Sequence, residues 1–130
     1  MNYAVAAMTA FLATASLAAP DGTGVSFKQS IVPVLKSKCA TCHLTGQEGG
    51  RLALYPGAAY ASLVAAKSNE ADLLLVKPGA PGESYLLMKL QGTHLEHGGQ
   101  GARMPFGAPP LEAETIAKVR DWIAAGAPDN

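Results

Sequence analysis

The chain has only two cysteines in its 130 residues, and both fall in one short stretch, so no disulfide framework is available to staple a small fold. A bridge between Cys39 and Cys42 would close too small a loop to constrain the unfolded chain. Neither sign of charge is in excess, since ten Lys and Arg balance ten Asp and Glu. Phosphate recognition demands a cationic face, so a nucleic-acid partner is not expected. Charge is sparse, but 48% of the residues are apolar, which excludes the composition of a disordered tail. No internal repeat is visible and no stretch alternates convincingly enough to be a strand.

The longest uncharged run, "YAVAAMTAFLATASLAA" at residues 3–19, is short of the roughly 20 residues needed to cross a bilayer. It ends in small residues and is followed by Pro20 and Asp21, the pattern of a signal peptide and its cleavage site. "MN" supplies no Lys or Arg, so the terminal amine is the only positive charge before the run; a retained anchor is the alternative. Residues 1–19 are therefore expected to be removed and residues 20–130 to form one domain, exported to the periplasm or beyond with no remaining membrane span. No cysteine lies near the cleavage region, which excludes lipid attachment there.

Fourteen glycines and nine prolines collect mostly between apolar segments of helical period, which predicts short helices joined by long, shaped loops. Ser26-x-x-Gln29 has the form of a capping box, and Phe27, Ile31, Val34 and Leu35 follow on one helical face. Pro33 either restarts or kinks that helix. Further helices are expected over residues 58–66, after Pro81-Gly82 with Leu86, Leu87 and Leu90 facing inward, and over residues 112–125 with Ile116, Val119 and Ile123 on one face and Trp122 on its flank. The expected class is all-α, with a loop-rich middle.

Within "KCATCHLTGQ", Cys39, Cys42 and His43 stand at i, i+3 and i+4, which a helical turn places on one side. A redox dithiol, a zinc pair and a covalent haem anchor all begin with Cys-x-x-Cys. The dithiol needs a strand–helix–strand setting that is missing here. Zinc would have to recruit His94 and His97, whose spacing is shorter than usual. Two thioethers and an imidazole on one face suit a flat macrocycle with a central metal, so the motif reads as the anchor of one covalent haem c. For the sixth ligand the candidates are Met88, His94, His97 and Met104. Met104 is favoured because Pro105 stiffens the backbone that presents it in a glycine-rich loop, whereas Met88 lies in an apolar helical run. The histidines are expected in a polar, partly exposed loop. Arg103 is either a partner for a haem propionate or a solvated loop arginine. Trp122 either packs on the haem edge or, as the stronger reading, joins the two terminal helices.

The segments "FKQSIVPVLKSKCATCH", "GGRLAL", "VKPGAPGESYLLMKL", "RMPFG" and "IAKVRDWIAAGAP" together resemble the small monohaem c-type cytochromes, in particular the planctomycete-type cytochrome c domains. The resemblance runs from about Phe27 to Pro128. It implies a small cytochrome c-like fold with helices around one covalently bound haem, Cys39 and Cys42 as thioether anchors, and His43 and Met104 as axial ligands to iron. Glu112 stands where that family's last helix often opens with Ser or Thr, and "GGRLAL" lacks a customary acidic residue. The function expected is that of a one-electron carrier between redox protein partners, not an enzyme. The alternatives are a peroxidase-like haem enzyme or gas sensor with an open distal position, and an electron-entry subunit of a dehydrogenase. Lys36 and Lys38 precede the motif and are either ordinary solvated helix lysines or a cationic rim that steers an acidic partner.

Overall fold

Ser26 opens the first helical segment: its Oγ accepts a hydrogen bond from the Gln29 N–H at 3.2 Å, as the Ser-x-x-Gln spacing predicts. The computed structural model describes residues 24–130, so the expected signal peptide at 1–19 lies outside the described residues. Phe27–Ile31 forms a wide π-turn in which the Val32 N–H reaches back to the Phe27 carbonyl. Helix α1, Val32–Lys38, follows with Pro33 in its first turn, where a missing N–H costs no helical bond. The proline thus marks a change of helix type. Phe27, Ile31 and Leu35 are buried along this segment.

Helix α2 spans Ala59–Leu63 and is shorter than the expected 58–66. Val64 is already extended, because its segment turns to pair with the chain around Val76: the Ala65 N–H donates to the Val76 carbonyl at 2.9 Å and the Val76 N–H to the Leu63 carbonyl at 3.1 Å. Two isolated bridges, Val64 with Val76 and Lys67 with Leu74, are the only β-type pairing among the described residues.

Helix α3, Tyr85–Gln91, buries Tyr85, Leu87, Met88, Lys89 and Leu90 and stops at Gly92, whose φ of 82° is the left-handed conformation a C-terminal glycine supplies without strain. Helix α4, Ala113–Ala124, begins after Glu112, which makes no side-chain cap, in keeping with the weak start expected of that residue. Trp122 is fully buried, not on the flank of α4; it stacks on Phe27 with ring centroids 5.2 Å apart. Its Nε1–H donates to the Pro128 carbonyl at 3.0 Å. The tryptophan thus joins the first and last helical segments of the described residues. The described residues form an all-helical domain without a sheet, and none of their helices is long and apolar enough to cross a membrane.

Candidate cofactor site

Helix α1 ends one residue before Cys39, and the chain continues through one more helical turn in which the His43 N–H donates to the Cys39 carbonyl at 3.0 Å. That bond gives Cys39, Cys42 and His43 the i, i+3, i+4 arrangement that their spacing predicts. All three line a cavity of about 310 Å³. Met104, from the far side of the glycine-rich loop, lines the same cavity and is held there by its N–H, which donates to the Lys89 carbonyl at 3.0 Å. Leu35, Leu54, Leu75, Leu86 and Leu90 make much of the remaining wall apolar.

Both thiols are free, and burial pushes the Cys39 thiol up to about 11. A redox-active dithiol attacks through a thiol lowered toward the thiolate, and Cys39 carries the opposite shift. His43 makes no side-chain hydrogen bond among the described residues, and its Nδ1 is enclosed without a partner. Gly50 approaches the same ring: a Cβ there would stand 3.9 Å from His43 Cε1.

The other candidates fall elsewhere. Met88 is buried in α3 and is not part of the cavity wall. His94, expected in a polar and partly exposed loop, is instead 2% exposed, with its Nε2–H donating to the Gly101 carbonyl at 2.9 Å. A carbonyl in reach satisfies an imidazole that the fold has buried. His97 is exposed, and neither histidine lines the cavity. No group of three or more His, Cys, Asp or Glu able to hold a metal ion occurs among the described residues, so the zinc set of Cys39, Cys42, His94 and His97 is not assembled. Arg103 lies against Gly92 with Nη2 donating to the Ala108 carbonyl at 3.2 Å and Nη1 enclosed without a partner; it too is outside the wall.

Sequence reasoning missed the polar part of the wall, where Ser68, Glu70, Tyr85 and Lys89 come together. Lys89 forms an ion pair with Glu70 at 3.0 Å, and the Tyr85 hydroxyl donates to the same carboxylate at 3.0 Å. The signal was present in "YLLMKL": a tyrosine and a lysine four apart share one face of an otherwise apolar helix. No protein-family model matches this chain, and comparisons with curated proteins and with solved structures find no match either.

Proposed function

We propose that this chain is an exported monohaem c-type cytochrome with a small cytochrome c-like fold, carrying single electrons between redox protein partners. The observation that carries the reading is the convergence of Cys39, Cys42, His43 and Met104, from two separate segments, on one largely apolar cavity. The donor set suits the group: two free thiols for the thioether bonds, an imidazole with no competing hydrogen bond, and a thioether sulfur for the second axial position. A haem held here would supply the one-electron chemistry. The chain's own part is to provide two axial donors, exclude water with the leucine-lined wall, and leave an edge near the surface. Phe106, 76% exposed, belongs both to the wall and to the outer surface.

Histidine and methionine ligation leaves no open coordination position and favours the reduced iron, as a carrier requires. The peroxidase-like alternative is less well supported, because the histidines available as a distal acid–base pair lie outside the cavity. Lys36, Lys38 and Arg51 are exposed and form no ion pair among the described residues, and Lys38 belongs to the cavity wall, which supports a cationic docking rim for an acidic partner.

The decisive experiment is expression in a host competent for export and c-type haem maturation, followed by absorption and resonance Raman spectra. One haem per chain that survives denaturation, with low-spin six-coordinate spectra in both redox states, is the expected result. Recovery of the chain with free thiols and no chromophore, beside a control cytochrome that matures normally, would sink the proposal. Covalent haem with a five-coordinate spectrum would move the assignment to the enzyme or sensor class.

A further inference from the structure

Lys89 is only 8% exposed, in the middle of the buried run of α3. Taking an ammonium group out of water is costly unless acceptors replace the lost hydration. Here they do. Nζ forms an ion pair with Glu70 Oε2 at 3.0 Å, donates to the Gln100 carbonyl, and lies 5.9 Å from the centroid of the Tyr85 ring. The Tyr85 hydroxyl shares the Glu70 carboxylate. Three segments remote in sequence therefore meet at one amine: the stretch around Glu70, helix α3, and the glycine-rich loop.

That loop leads directly to Met104. Lys89 holds it twice, at Gln100 by the side chain and at the Met104 N–H by the backbone carbonyl. His94 adds a third hold through the Gly101 carbonyl. The loop is seated closely: a Cβ on Gly99 would stand 2.5 Å from the Tyr85 hydroxyl and 2.7 Å from the His94 carbonyl oxygen. An apolar residue of similar size would serve stability as well as a buried ion pair does, so stability alone is a poor account of a lysine at this position. What the pair adds is direction: its hydrogen bonds accept one placement of the loop and reject shifted ones.

We infer that Lys89, held by Glu70 and Tyr85, is the positioning residue that keeps the Met104 thioether in the cavity wall against competing external ligands. The inference rests on the reading of Met104 as an axial ligand. An external ligand then binds only while the loop has withdrawn Met104, and its apparent affinity is its intrinsic affinity scaled by the withdrawn fraction. Lys89 and its partners keep that fraction small.

The test uses the haem-loaded, full-length protein. The double variant Lys89→Leu with Glu70→Gln removes the pair without leaving either charge buried alone and adds no sulfur to the wall. Imidazole titration should show binding on the order of tenfold tighter than in wild type, with haem content unchanged. The sulfur-to-iron charge-transfer absorption of the oxidised protein should weaken in parallel. If the double variant does not fold, Gly99→Ala displaces the same loop by the Cβ contacts given above and should tighten imidazole binding in the same direction. A changed melting temperature with unchanged imidazole affinity would reduce Lys89 to a structural role and overturn the inference. Absence of the sulfur-to-iron signature from wild type would instead fault the ligand assignment. Amide exchange across residues 98–104 then reads the seating of the loop by itself: faster exchange in the variant keeps Lys89 as the residue that positions the loop, and equal exchange defeats that role as well.

Discussion

The junction of the first and last described segments and the wall of the cavity are built on different plans. At the junction Phe27 stacks on Trp122 and meets Tyr60 edge-on, each with centroids 5.2 Å apart. The polar atoms there find partners: the Tyr60 hydroxyl donates to the Ala127 carbonyl at 2.8 Å, Trp122 Nε1–H to the Pro128 carbonyl, and the Phe27 N–H to the Asn130 side-chain oxygen at 2.8 Å. Around the cavity, by contrast, stand two free thiols, a histidine with an enclosed and unpartnered Nδ1, and a methionine brought in by a loop. Side-chain packing with satisfied hydrogen bonds is what a core needs for stability alone. Donor atoms gathered at one cavity are what chemistry needs, and the two demands are met in separate places.

The harshest way to break this division is to remove the thiols. With Cys39→Ala and Cys42→Ala combined and export intact, the chain should be haem-free and largely unfolded or degraded, since a small domain whose core is completed by a bound group depends on that group. Circular dichroism and recovery from the periplasm would show it, and a stable, well-folded, haem-free product would count heavily against the cytochrome reading. Next comes the junction. Trp122→Ala should cost about 3–5 kcal/mol in denaturant unfolding. The axial-ligand spectrum of the surviving folded protein should be unchanged, and a changed spectrum would show that the two regions are coupled.

Within the cavity, Met104→Ala should abolish thioether ligation, lower the reduction potential and open the iron to imidazole or cyanide. His94→Ala should keep wild-type axial ligation while losing about 1–3 kcal/mol of stability, because it leaves the Gly101 carbonyl without its donor. His97→Ala should do neither. A high-spin spectrum from either histidine variant, with a wild-type spectrum from the methionine variant, would replace the assignment by bis-histidine ligation.

At the rim, Lys36→Glu with Lys38→Glu should slow electron transfer to an acidic partner at low ionic strength and flatten its salt dependence, with the haem spectrum untouched. Equal rates and salt slopes would eliminate that docking face. The smallest effect is expected at Glu48. Hydrogen bonds from its own backbone N–H and from Thr45 and Gly46 hold its carboxyl at about 2, below the ordinary 4.5. Because the folded value is depressed, its stabilising contribution is complete above the ordinary range and disappears as pH falls toward 2. Glu48→Gln should therefore flatten the acid limb of a stability–pH profile by lowering stability at neutral pH, with variant and wild type converging as pH falls toward 2. An acid limb as steep as wild type would mean that this carboxylate makes no difference to folding.

What could be read directly from the residues was local. Ser26 reaches Gln29 within one turn, Pro33 changes the helix type where its ring sits, and Gly92 ends α3 at its own backbone conformation. The spacing of Cys39, Cys42 and His43 likewise needs only one helical turn to face one way. Each of these outcomes depends on bonds spanning a few residues, so sequence alone determines it, together with the all-helical class. Long-range contacts decided the rest. Val64 left α2 to pair with Val76, His94 was buried against Gly101, and Trp122 moved from an expected flank to full burial against Phe27. Most of all, only tertiary structure could put Met104 and the Glu70–Tyr85–Lys89 group into the wall that the cysteine motif lines. Their positions follow from hydrogen bonds between separate segments, and such bonds leave no period in the sequence to read.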